Sequence, residues 1–125
     1  MRLNQVTVTV DDMQKAIAFY QILGFRLIVH THERYARFEI GNGETTFSLH
    51  LGERPGNDGP ALYLEVDDLD GEYDRLDRLG VSFDTALMDQ RWLWREAWFR
   101  DPAGNRLCLY HAGENRRFPP WRSTD

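Results

Sequence analysis

Apolar and polar residues alternate near the start of the chain. Val6, Val8 and Val10 fall on one side, with Gln5, Thr7 and Thr9 on the other; this is the period of a strand with one covered face. The period then changes. Met13, Ile17, Tyr20 and Leu23 recur at helical spacing between Asp11-Asp12 and Gly24. Carboxylates suit a helix N-terminus and a glycine suits the residue that ends it. Strands are predicted over roughly 25–32, 35–40 and 45–51, with Gly41-Asn42-Gly43 as a turn.

The same order returns in the second half. At an offset of 56, Val10-Asp11-Asp12-Met13 falls on Val66-Asp67-Asp68-Leu69, and Leu23-Gly24-Phe25 falls on Leu79-Gly80-Val81. Leu69, Tyr73, Leu76 and Leu79 form the second helical stripe and Gly80 its stop. Strands over 82–87, 94–100 and 106–111 follow, with Asp101-Pro102-Ala103-Gly104-Asn105 as their turn. The chain therefore reads as an α+β protein of two βαβββ modules in one domain. Module one is 1–53, a Pro- and Gly-rich linker 54–60, module two 61–111 and a C-terminal docking tail 112–125.

Alternation assigns the second face of each strand. Thr46, Ser48 and His50 share one such face, Ala61, Tyr63 and Glu65 another, and Arg106, Cys108 and Tyr110 a third. If the strands make one cup-shaped, curved mixed sheet with the helices on its outer face, these residues line the cavity.

Composition narrows the partners. The 125 residues are 42% hydrophobic and 28% charged, as in a soluble globular domain. No apolar run approaches the ~18–20 residues of a membrane span, and the polar N-terminus is unlike a signal peptide. A cytoplasmic address is expected. The net charge of −5 argues against nucleic acid, and the single Cys108 excludes a disulfide framework or a CxxC zinc site. The expected partner is a small molecule. All four Trp lie in the last third, and Trp92, Trp94 and Trp98 are interleaved with Arg91 and Arg95. That pattern suits stacking and cation–π contact with a flat or anionic ligand, or packing. Phe118 and Trp121 in the tail are expected to dock on the body or on a second subunit of a homodimer.

Residues 8–25, with Phe19-Tyr20 ahead of Leu23-Gly24-Phe25, resemble the first module of the vicinal oxygen chelate superfamily. Phe99-Arg100-Asp101-Pro102-Ala103-Gly104-Asn105-Arg106-Leu107 resembles its closing hairpin. That superfamily includes glyoxalase I, extradiol dioxygenases, fosfomycin-resistance enzymes and bleomycin-binding proteins, so the resemblance implies the paired cup but several chemistries. Its metal enzymes hold a divalent ion at slots that fall here on Gln5, Ser48, Ala61 and Cys108. Gln is a poor ligand, Ser a rare one and Ala none, so no metal and no cofactor is expected.

The resemblance thus implies a glyoxalase/bleomycin-resistance/dioxygenase-like protein that binds a small oxygenated or aromatic metabolite. Gln5, Thr7, Ser48, Tyr63, Trp92, Trp94, Arg95, Arg106, Cys108 and Tyr110 are its candidate contacts. Metal-independent acid–base chemistry would use His50 as base and Glu65 as its partner, with Tyr63 and Tyr110 donating to an oxyanion. Arg95 or Arg106 would hold a substrate carboxylate. The alternative is a metal-dependent lyase or dioxygenase with a rearranged site at His50, Glu65 and Cys108. His30 and His32 read as surface residues, and His111 as a partner for backbone groups.

Overall fold

The second Asp of each pair and the glycine after each helix do what their positions predict, while Asp11 and Asp67 lie ahead of the caps. In the computed structural model, which describes residues 1–124, the Asp12 side chain accepts from the Lys15 amide at 3.1 Å and opens α1 (Met13–Ile22). Asp68 accepts from the Gly71 amide at 3.1 Å and opens α2 (Leu69–Arg78). Each helix is followed by a glycine in the left-handed region, Gly24 at φ +98 and Gly80 at φ +95, which a side chain would strain.

The chain divides into two compact units. The first comprises Met1–Pro60 together with Arg100–Arg106, the second Ala61–Phe99 with Leu107–Asp125. Strands β1 (Gln5–Val10), β2 (Arg26–Thr31), β3 (Tyr35–Glu39) and β4 (Thr46–Leu51) form one sheet in the order β1-β4-β3-β2. Strands β5 (Leu62–Glu65), β6 (Met88–Asp89), β7 (Arg95–Arg100) and β8 (Arg106–His111) form the other in the order β5-β8-β7-β6. The two orders are the same permutation. In both, the first strand runs parallel to the last, Gln5 opposite Thr46 and Leu62 opposite Leu107. The internal repeat is a structural repeat: two βαβββ modules, each a four-stranded mixed sheet with a helix.

In the first unit Val8, Val10, Ala36 and Leu49 carry the covered face of the sheet, and Met13, Ala16, Ile17 and Tyr20 the covered face of α1. Between them lie Tyr20, Phe25, Phe38 and Phe47, with Tyr20 and Phe47 centroids 4.7 Å apart. In the second unit Leu69 and Leu76 of α2 are buried together with Ala97, Phe99, Leu107 and Leu109. Tyr73 and Phe83 rings lie 4.3 Å apart, and Phe83 meets Phe99 at 5.0 Å.

Two sequence expectations are corrected. Leu79, placed on the buried stripe, is 53% exposed. At 100° per residue it lies about a quarter turn from the line through Leu69, Tyr73 and Leu76, and the helix has already ended. The strand expected over 82–87 is reduced to one bridge, Phe83 opposite Phe99, and regular pairing resumes only at β6. Here the Trp98 amide donates to Thr85 Oγ1 at 2.9 Å, so a side chain takes the place of a ladder carbonyl. Among the described residues no helix is long and apolar enough to cross a membrane.

Candidate functional site

On the first unit, the face opposite the core is a hydrogen-bonded polar surface. β1–β4–β3 register sets Thr7, Ser48 and Arg37 in one row and Thr9, His50 and Tyr35 in the next. The fully buried Ser48 Oγ lies 2.8 Å from the Tyr35 hydroxyl, to which Arg37 Nε donates at 2.9 Å. Burial pushes the Tyr35 phenol upward. The hydrogen bonds from Ser48 and Arg37, the Arg37 charge and a bond from Gln5 outweigh it, so the phenol ionises below its ordinary range. Gln5 Oε1 also accepts from Thr46 Oγ1 at 2.9 Å. His50 is exposed, and its Nε2 is 2.6 Å from Thr9 Oγ1.

On the second unit the corresponding face is aromatic. Tyr63 of β5, Trp98 of β7, Tyr110 of β8 and Trp94, just before β7, converge there. Tyr63 stands edge-on to Trp98 at 5.4 Å, to Tyr110 at 5.7 Å and to Trp94 at 5.9 Å. Trp94 in turn stacks on Tyr110 at 4.7 Å and 20°. Tyr63 is 48% exposed although three rings pack against it. Beside Trp94 opens a cleft of about 500 Å³, bounded by Asp89, Leu93, His111 and Asn115 among others.

Glu96 lies on the same side of β7 as the rings and is only 5% exposed. Its oxygens accept from Trp98 Nε1 at 3.3 Å and from the Cys108 thiol at 3.7 Å. Burial, then the Glu96 charge and hydrogen bond, push that thiol up to about 12, so it stays protonated at neutral pH.

Glu65 and Arg95, also expected at the site, have partners of their own. Glu65 accepts from the amides of Ala112 and Gly113 at 2.7 and 2.9 Å, capping the 3₁₀ turn Gly113–Asn115 that follows β8. His111 Nδ1 donates to the Val66 carbonyl at 2.9 Å, the backbone role expected of it. Arg95 shares its side of β7 with the buried Ala97 and Phe99, and its guanidinium pairs with Asp70 at 3.1 Å and Asp89 at 3.3 Å. It therefore stands on the side away from the rings. Arg106 and Thr7 are exposed, and Trp92 is exposed in the loop ahead of β7. His30 pairs with Glu33 at the surface, and His32 sits in the β2–β3 turn. Phe118 and Trp121 are 57% and 58% exposed in the single chain, with Arg122 over the Phe118 ring at 4.4 Å; Asp125 of the tail lies outside the described residues.

The divalent ion that the family resemblance implies can be tested against these donors. Gln5 is a neutral amide bonded to Thr46, Ser48 a hydroxyl bonded to Tyr35, and Ala61 has no donor. Cys108 is the single strong ligand of the four, against an imidazole- and carboxylate-based requirement. The set does not fit the ion. Among the described residues no three His, Cys, Asp or Glu side chains are grouped to hold one elsewhere.

Of the expected contacts, the structure brings together Tyr63, Trp94, Tyr110 and Cys108. Sequence reasoning counted Trp98 in the Trp–Arg pattern but missed Glu96, which stands at two-residue spacing between Trp94 and Trp98. It also missed Tyr35 and Arg37, whose place beside Ser48 depends on the β3–β4 register.

Known proteins agree with this architecture. The Bacillus subtilis (strain 168) protein YraH is 33% identical over 127 residues, covering 88% of this chain and 98% of its own. Among solved structures, the antibiotic binding protein TnmS3 from Streptomyces sp. CB03234 is 29% identical with a TM-score of 0.77, covering 90% of this chain and 96% of that one. A glyoxalase/bleomycin resistance protein/dioxygenase superfamily member from Sphaerobacter thermophilus DSM 20745 is 27% identical with a TM-score of 0.75, covering 89% and 97%. Residues 2–109 match the family model itself. With the repeated βαβββ module and the closing turn, this makes the chain a member of the Glyoxalase/Bleomycin resistance protein/Dioxygenase superfamily.

Proposed function

We propose that the protein binds a flat aromatic small molecule against the ring face of its second unit. The observation that carries this reading is Tyr63, half-exposed at the head of a four-ring cluster. A planar ligand laid there covers apolar surface and adds ring–ring contacts worth about 0.5–1.5 kcal/mol each beyond burial. The antibiotic-binding relative supports a binding role. Enzymes share the superfamily, so the test has to separate binding from turnover.

Tryptophan fluorescence is titrated with planar aromatics of one to three fused rings. Saturable quenching is expected, weakened about tenfold in Tyr63→Ala. An absence of saturation, or equal affinity in the variant, refutes the reading. In parallel, 2-oxoaldehyde–thiol adducts and catechols are incubated with the protein, with and without added divalent metal. Product formation would move the function to catalysis. The homodimer belongs to the same proposal, with Phe118 and Trp121 as the surface a second copy covers. Removing residues 113–125 should halve the mass in solution, and an unchanged mass would exclude that contact.

A further inference from the structure

We propose that Glu96 selects ligands in which the aromatic system carries a protonated amine. This deepens the ring-face reading and rests on it. Glu96 is a carboxylate 5% exposed, set among tryptophan and tyrosine rings. Its partners are an indole N–H at 3.3 Å and a thiol at 3.7 Å, both neutral and both long. Among the described residues no cationic side chain pairs with it. A carboxylate accepts about four hydrogen bonds, so two are left for a further donor.

A buried acid of this kind is commonly paired or bonded to charged donors. The nearest cation on the same strand does not serve, because Arg95 projects to the opposite side and is taken by Asp70 and Asp89. The missing positive charge is therefore assigned to the ligand. The rings favour the same chemistry. The faces of Trp and Tyr attract ammonium groups, and a carboxylate beside them adds to the negative potential. Cys108 completes the site as a neutral donor. Its protonated thiol donates to Oε2 and the Trp98 indole to Oε1, so each oxygen holds one neutral donor and keeps capacity for another.

The test compares 2-(1-naphthyl)ethylamine with the alcohol that carries a hydroxyl in place of the amine, by calorimetry at pH 7. Wild-type protein should bind the amine about 10- to 100-fold more tightly, the range of a hydrogen bond to a charged group. Glu96→Gln should remove that preference, and Glu96→Asp should keep part of it. Equal binding of the two compounds by wild type overturns the proposal and leaves the ring-face reading standing. So does a preference that survives in a folded Glu96→Gln. Binding of neither compound overturns both. The wild-type pair decides even where a variant fails to fold.

Discussion

Tyr20 offers a quantitative test of the first unit's construction. Its side chain is fully buried and its hydroxyl donates to Asp101 Oδ2 at 2.7 Å. The carboxylate accepts three more bonds, from the Ala103 and Asn105 amides at 3.0 and 2.8 Å and from Asn105 Nδ2 at 2.9 Å. Burial, then the Asp101 charge and hydrogen bond, raise the Tyr20 phenol above its ordinary range, so it remains a neutral donor. Tyr20→Phe deletes one oxygen, opens almost no space and leaves the buried acid one donor short. A charge-assisted bond of this length contributes about 1.5–3 kcal/mol. For a chain of this size each kcal/mol moves Tm by about 4 °C, so the melt should fall by about 6–12 °C. Asp101→Asn should cost more, about 3–5 kcal/mol. Its NH₂ would replace the oxygen facing Tyr20 and Asn105, setting donor against donor. The assay is urea unfolding followed by far-UV circular dichroism, with the double variant closing a cycle that should show at least about 1 kcal/mol of coupling. A Tyr20→Phe change within about 0.5 kcal/mol of wild type would refute the view that this bond fastens the turn.

Three further outcomes are expected. With its pKa near 12, Cys108 should resist iodoacetamide at pH 8 in the native protein and react once unfolded; native reaction at the free-thiol rate would contradict its burial. Because the folded value lies above the unfolded one, its contribution is complete below pH 9 and is lost as pH rises towards 12. An absorbance titration at about 295 nm should find one of the five tyrosines ionising early, a step absent in Tyr35→Phe and later in Arg37→Met. The sign is opposite here. The folded value lies below the unfolded one, so Tyr35 stabilises above pH 10 and loses that contribution as pH falls through its folded value. Finally, His32 and Glu33 close the β2–β3 hairpin at φ +49 and +57, where glycine is at ease. Glu33→Gly should raise stability by about 0.5–1 kcal/mol despite losing the exposed His30 pair, and a lower midpoint in urea would show that the pair outweighs the strain.

The modules were legible because their signals are local. Asp12 and Asp68 cap within three residues, Gly24 and Gly80 stop within one turn, and alternation places Tyr63, Cys108 and Tyr110 on one side of their strands. What escaped depends on pairings between distant segments. Thr85 inserting its hydroxyl into the ladder cannot be foreseen from 82–87, whose residues suit a strand. The Tyr35–Ser48 contact exists only in one register of β3 on β4. Glu65 illustrates the converse. As a mid-strand acid it reads only as a candidate for chemistry, and the two amides that the turn after β8 brings to it lie 47 and 48 positions away. Glu96 was within reach, since two-residue spacing from Trp94 and Trp98 fixes its side of β7. That no cation among the described residues pairs with it, however, is a property of the folded chain.

The turn Arg100–Arg106 also dictates when the first unit can be finished during synthesis. Asp101 stands 81 positions after Tyr20, and Asn105, whose side chain reaches the Thr9 carbonyl at 2.9 Å, stands 96 positions after its partner. A nascent chain ending at Pro60 already holds every strand of the first sheet. It has no acceptor for the Tyr20 hydroxyl and no donor for Thr9. At about 5–20 residues per second, several seconds of translation separate the helix from the carboxylate that completes it. The half made first is therefore completed by residues made near the end, and a gene cut at the linker would yield an unfinished fragment rather than half a protein.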